Sequence, residues 1–257
     1  MFGSRFFLCA ALIATCFGLA DVRADMTLDL TASGAICTIN DAYFVQGSFA
    51  PAGSGKIESF VRIDGGLKEQ GYNTDARRNG KTEFDEKTDE KFTRSLRLTD
   101  VPVVTLDGFD YREFLLDINE AKGPEKGEKS LLSLDKIEIY LADTGDRWGY
   151  PELGTKVFDL DGSGDNWIKL DAAVSQGPGS GSADMLAYIP NTRFSGGDFV
   201  YLYSKFGENY KNDGGYEEWS VRQVETPPAV HAPAPGAALL SGIGLSLAGW
   251  FRRRQRS

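Results

Sequence analysis

The feature that most constrains this chain is the alternation of apolar and polar residues over short segments separated by glycine-rich turns. Ile137, Ile139 and Leu141 recur at every second position, and residues 114–118 repeat this period of two, which is typical of half-buried β-strands. No long 3.6-residue apolar pattern persists before residue 224. The sequence therefore predicts an all-β domain, a two-sheet β-sandwich with jelly-roll-like connections, with a closed barrel as the alternative.

The predicted sandwich spans residues 25–223, a length that fits one domain. Six of the 28 basic residues and one of the 37 acidic residues lie outside residues 25–233, which leaves 22 basic and 36 acidic side chains and a net charge of −14. A surface of this sign repels nucleic acid and anionic membranes. It favours divalent cations or basic partners, and we expect no nucleic-acid partner.

The end of the chain has three consecutive features. Residues 224–236 are rich in proline and alanine and predict a stiff stalk. Residues 237–251 are apolar, and residues 252–257 are basic. A membrane span needs about 20 residues, and upstream extension with snorkelling arginines brings this segment near that length. We predict a single C-terminal transmembrane helix over residues 237–251. A basic cytoplasmic tail follows it, and four arginines set the topology: Arg252, Arg253, Arg254 and Arg256.

This order of parts resembles the sorting tail of the PEP-CTERM family of exported bacterial proteins. The matching residues are Pro233, Ala234, Pro235 and Gly236, followed by the apolar run and the arginine cluster; Ala234 stands where the family tripeptide carries an acid. The resemblance implies recognition and cleavage by exosortase, an inner-membrane cysteine transpeptidase. It also implies a Gram-negative protein held in the inner membrane and then moved to the cell surface or outside, with exopolysaccharide as a partner. A plain tail anchor is the alternative.

The predicted sandwich carries a second resemblance. Residues 69–74, 114–120, 180–185 and 213–219 look like recurring blocks of a group of uncharacterised exported bacterial proteins. That likeness implies a β-rich exported module and supplies no activity.

The N-terminus agrees with export. Arg5 precedes the apolar run of residues 6–19, and Val22 and Ala24 offer the modest side chains that signal peptidase reads. The sequence predicts a signal peptide over residues 1–24 cut by signal peptidase, with cleavage after Ala20 as the alternative.

One acidic segment has the spacing of a calcium loop. Asp159, Asp161, Ser163 and Asp165 occupy its first four alternate ligand positions, and oxygen ligands at such positions suit Ca²⁺. Leu170 stands where the bidentate glutamate of such a loop is expected. The sequence thus gives a calcium hypothesis for this segment, with an acidic turn between two strands as the alternative.

Aromatic residues are concentrated near the end of the domain. Rings on a sandwich face can stack on sugars. The candidates for carbohydrate contact are therefore Tyr201, Tyr203, Tyr216 and Trp219. Packing of these rings in the core is the alternative.

Histidine limits the catalytic classes. The one histidine, His231, lies in the stalk, which excludes a Ser-His-Asp triad or a histidine-rich metal site within the domain. Paired carboxylates could hydrolyse glycosides, but no specific pair stands out in the sequence. We predict an exported surface or extracellular-matrix protein without catalytic activity. A carbohydrate-binding module is the alternative, and a glycoside hydrolase comes third.

Overall fold

The protein forms two β-sheets. A computed structural model describes five stretches: residues 25–49, 59–120, 127–174, 183–212 and 214–222. They build an all-β structure of two seven-stranded sheets. The predicted all-β, two-sheet character is confirmed. The predicted signal peptide, stalk, transmembrane helix and basic tail lie outside the described residues.

The strands are numbered in chain order within the described residues. They are β1 (Thr27–Asp29), β2 (Ile36–Ile39), β3 (Ala42–Phe49), β4 (Ser59–Ile63), β5 (Glu69–Tyr72), β6 (Leu96–Arg97), β7 (Val103–Leu106), β8 (Phe109–Asp117), β9 (Leu131–Ala142), β10 (Thr155–Asp159), β11 (Trp167–Asp171), β12 (Ala183–Pro190), β13 (Phe199–Phe206) and β14 (Glu217–Ser220).

Most neighbouring strands pair in antiparallel fashion. The first sheet has the order β1-β11-β9-β13-β5, with β10 beside β9 and β6 beside β13. The second has the order β2-β3-β12-β8-β14-β4, with β7 beside β8. Strand β1 pairs with β11 in parallel. The last strand, β14, lies between β8 and β4, so the second sheet is completed by the end of the domain.

The main core lies between the two sheets. Ile137, Ile139 and Leu141 of β9 are at most 3% exposed and pack in one cluster with Phe114 and Leu116 of β8. These are the residues whose period-two spacing predicted strands. Their burial on one face follows from that period, because successive side chains of a strand point to opposite faces.

Part of the outer face of the first sheet is also buried. Tyr140 and Tyr203 lie on this face, opposite the main core, yet are only 2% exposed. Phe84 and Tyr150, from connecting segments, pack over them, and the Tyr150 ring stacks on Tyr203 with centroids 3.8 Å apart. The connecting segments therefore form an aromatic third layer.

Helical structure is brief in the described part of the chain. It consists of 3-10 turns at Leu98–Asp100, Gly127–Ser130, Leu160–Ser163 and Asn191–Arg193. No helix among the described residues has the length and apolar character needed to cross a membrane.

Candidate ligand-binding groove

Two tight hairpin turns meet at one end of the second sheet. Asn40 and Asp41 join β2 to β3, and Asp107 and Gly108 join β7 to β8. All four have positive φ, between 49° and 85°, which is the pattern of a two-residue hairpin turn whose twist matches that of its strands. The 3-10 turn after β12 completes this end of the sheet, and a groove of about 750 Å³ lies between these elements.

Three aromatic rings line the groove. Phe109, directly after the Asp107-Gly108 turn, is 69% exposed and is the most exposed large apolar side chain of the described residues. Tyr43 and Tyr111 lie beside it and meet edge to face, with ring centroids 5.4 Å apart. Because Tyr111 is buried to 7% exposure, this tyrosine pair is fixed in place, whereas Phe109 offers a free ring face.

Polar groups form the rim. The Arg193 guanidinium donates to the Asn40 carbonyl at 2.9 Å and to the Asp41 carboxylate at 3.3 Å. Arg112 Nε donates to Asn191 Oδ1 at 2.8 Å. The Asp41 side chain keeps 86% of its surface exposed. The Asp41 carboxylate is therefore held in position beside the rings and remains open to a ligand.

A second cleft of about 550 Å³ continues the groove toward the first sheet. The two share Asp41 and Arg193, and the second cleft is also lined by Lys156, Asp159 and Gly162. Asn40 Nδ2 donates to the carbonyls of Asp159 and Leu160 at 2.9 and 3.1 Å. These bonds tie the turn of the second sheet to the edge of the first, so the groove crosses between them.

The predicted calcium segment folds differently. Asp159 caps the 3-10 turn, accepting from the Asp161 N–H at 3.0 Å, and its other oxygen meets Lys156 Nζ at 2.8 Å. Asp161 accepts from the Asn166 N–H at 3.0 Å, and its second oxygen lies 3.4 Å from Lys136 Nζ. Two lysines and backbone donors therefore use the oxygens that calcium would need.

The remaining two predicted ligands do not converge with them. The Ser163 hydroxyl lies 3.5 Å from Asn166 Nδ2, and the Asp165 N–H donates to Asp25 Oδ1 at 3.3 Å. Among the described residues, no three His, Cys, Asp or Glu side chains are grouped to hold a metal. The calcium loop predicted at Asp159, Asp161, Ser163 and Asp165 is wrong, and the acidic-turn alternative describes the segment. Burial raises the pKa of the Asp161 carboxyl, against the opposing effect of Lys136.

The predicted carbohydrate-contacting aromatics are largely interior. Tyr201 and Trp219 are fully buried and Tyr203 is 2% exposed. Tyr216 is partly exposed, and the Arg62 guanidinium covers its ring at 4.0 Å from the centroid. Three of these four rings therefore have no face available to a sugar, and the core-packing alternative is correct for them.

Sequence reasoning missed the residues of the groove. Tyr43, Phe109 and Tyr111 come from β3 and β8, two strands that are far apart in the sequence. The available signal was the Asp107-Gly108 hairpin pair directly before a phenylalanine, since a large apolar residue beside a tight turn points to an exposed ring.

Comparison of the chain with protein-family models, with curated proteins and with solved structures found no match. The groove is therefore interpreted from its own chemistry.

Proposed function

We propose that this chain is an exported, non-catalytic protein of the cell surface or extracellular matrix. Signal peptidase would remove residues 1–24, and exosortase would process the tail at residues 233–235. The proposal includes a jelly-roll-like arrangement of the two sheets and a transmembrane helix over residues 237–251. Three features of the sequence support it: the signal-like N-terminus, the succession of stalk, apolar run and arginines at the end of the chain, and the net charge of −14 over residues 25–233.

A second candidate function, carbohydrate binding, is favoured by the groove. The observation that carries it is Phe109, 69% exposed beside two tyrosines. A pyranose ring presents C–H groups that pack on an aromatic face and hydroxyls that bond carboxylates, amides and guanidinium groups. A volume of about 750 Å³ falls within the ~300–1,000 Å³ common for small-ligand sites.

The charge of the rim favours a neutral glycan. The exposed acids Asp41, Asp107 and Asp110 surround the turn region, while Arg193 is engaged with Asp41. An anionic sugar placed here would meet more negative than positive charge, which disfavours it. We therefore propose neutral polysaccharide as the ligand, held without chemical conversion.

The test of the groove is Phe109→Ala. Removing an exposed ring should leave the melting temperature unchanged. It should weaken binding to a neutral glycan chosen from an array screen by about 2- to 13-fold, because an aromatic contact contributes about 0.5–1.5 kcal/mol. Leu67→Ala is the matched control, since Leu67 is 56% exposed outside the groove. Equal affinities of wild type and Phe109→Ala would contradict a role for this ring.

The test of the tail is removal of residues 252–256. Without the arginines the segment lacks its cytoplasmic charge, so we expect the protein to lose membrane retention and to appear in the soluble fraction unprocessed. Fractionation of cells followed by mass determination checks both outcomes. Normal retention and normal processing of the truncated chain would show that these arginines do not set the topology.

A further inference from the structure

The groove beside Phe109 and the second cleft form one continuous surface. Both are lined by Asp41 and Arg193, which lie where the two parts meet. The groove has a volume of about 750 Å³ and the second cleft one of about 550 Å³. A volume of ~300–1,000 Å³ is common for a site that holds one small ligand. Each part alone can therefore hold a small ligand, and the two together have room for a ligand larger than one sugar.

The two parts offer different contacts. In the groove, Phe109 presents a ring that is 69% exposed. In the second cleft, the one ring among the described lining residues is that of Phe158, which is 2% exposed. The walls of the second cleft carry instead the Lys156 ammonium and the Asp159 carboxylate. The groove is therefore suited to stacking and the second cleft to hydrogen bonds.

The cations of the second cleft keep donors that a ligand can use. Lys156 Nζ lies 3.0 Å from Glu138 Oε1 and 2.8 Å from Asp159 Oδ2. An ammonium group has three N–H donors, so one is left over. Both hydrogen bonds that Arg193 makes within the described chain come from Nη2, which leaves Nε and Nη1. Sugar hydroxyls accept from such donors.

The surface is fixed where it passes from one sheet to the other. Asn40 Nδ2 donates to the carbonyls of Asp159 and Leu160. Gly162 lines the second cleft beside this contact, and a Cβ at that position would lie 3.3 Å from Asn40 Nδ2. The glycine therefore keeps the passage clear of a side chain, and a ligand meets a surface that is already ordered, which lowers the cost of binding.

The charges of the second cleft favour an uncharged ligand. Lys156 and Arg193 bring two positive charges, and Asp159 and Asp41 bring two negative charges. Each cation lies against one of these acids, Lys156 at 2.8 Å from Asp159 and Arg193 at 3.3 Å from Asp41. A charged ligand would have to compete with an ion pair, whereas neutral hydroxyls can add to the remaining donors.

We propose that the groove and the second cleft together bind one segment of neutral polysaccharide that crosses from the second sheet to the first. One sugar stacks on Phe109, and a sugar further along the same chain bonds to Lys156 and Arg193. This inference rests on the carbohydrate binding proposed above and adds that the site recognises a chain of sugars. Because linked sugars lose their translational freedom once, contacts in both parts strengthen binding by one chain.

The experiment measures affinity against oligosaccharide length. The full-length chain is titrated calorimetrically with the single sugar of the neutral glycan chosen by the array screen and with its oligosaccharides of increasing length. We expect the affinity to rise by about tenfold once the oligosaccharide reaches the second cleft, because new hydrogen bonds form there. Beyond that length, it should rise only in proportion to the number of ways the chain can be placed. Phe109→Ala should weaken binding at every length.

A variant of the second cleft tests the path of the chain. Gly162→Gln places a side chain in the second cleft, so it should remove the gain with length and leave the affinity for the single sugar as in wild type. Lys156→Gln, which removes a donor there, serves if the melting curve shows that Gly162→Gln does not fold. Gly214→Gln is the matched control, because Gly214 is exposed and a Cβ there would have no atom within 4 Å. This control should keep the full gain.

Three results would contradict the inference. Equal wild-type affinity for the single sugar and for every longer chain would overturn it and leave carbohydrate binding at Phe109 standing. A gain with length that survives in the second-cleft variant would overturn the path across the sheets. Absence of binding at every length would overturn carbohydrate binding itself, and this inference with it.

Discussion

Replacing Arg222 by methionine should destabilise the fold by about 3–5 kcal/mol. Arg222 Nε lies 2.7 Å from Glu113 Oε1 and Nη2 lies 3.3 Å from Oε2, in a forked pair. The Glu113 side chain is fully buried and that of Arg222 is 5% exposed. The methionine variant would leave Glu113 as a buried charge without a counter-ion, and urea unfolding at pH 7 measures the loss.

Two controls separate this effect from a general loss of charge. Lys205→Met removes a surface pair with Glu208, 32% and 44% exposed, and should cost under about 1 kcal/mol. The double variant of Glu113→Leu with Arg222→Met should recover most of the stability, because the buried charges leave together. A single Arg222→Met variant as stable as the lysine control would contradict the assignment of the pair as buried and desolvated.

Trp219→Ala is expected to destabilise the fold by about 3–5 kcal/mol. The indole is fully buried in the main core, and its N–H donates to Ser204 Oγ at 3.0 Å. Truncation would create a cavity and leave the buried Ser204 hydroxyl without this bond. Thermal unfolding should show a melting temperature lower by about 6–20 °C.

The same variant separates packing from ligand contact. Below its melting temperature, Trp219→Ala should bind glycan as wild type does, whereas Phe109→Ala should lose affinity and keep its stability. Loss of binding in Trp219→Ala without loss of stability would restore Trp219 as a contact residue.

The core was largely predictable from sequence. Ile137 and Ile139 alternate with more polar residues, and this period fixes which side chains share a face whatever the order of the strands. The order itself was not predictable, because pairings such as that of β1 with β11 join residues far apart in the chain.

The predictions failed where connecting segments decide exposure. Tyr203 lies on the outer face of its sheet, and only the packing of Phe84 and Tyr150 over it makes it interior. The spacing of Asp159 and Asp161 suited calcium, but sequence could not show that Lys136 and Lys156 reach them.

The position of β14 between β8 and β4 bears on the timing of folding during export. In a chain that emerges from the membrane N-terminus first, the second sheet lacks its interior strand β14 until residue 220 has emerged. In the first sheet, Thr27 cannot pair with its partner until Trp167 has emerged. Pairings between distant residues form slowly. If the chain is exported as proposed, it would cross the membrane unfolded. The two sheets would be completed only after β14 has crossed, when the stalk begins to emerge.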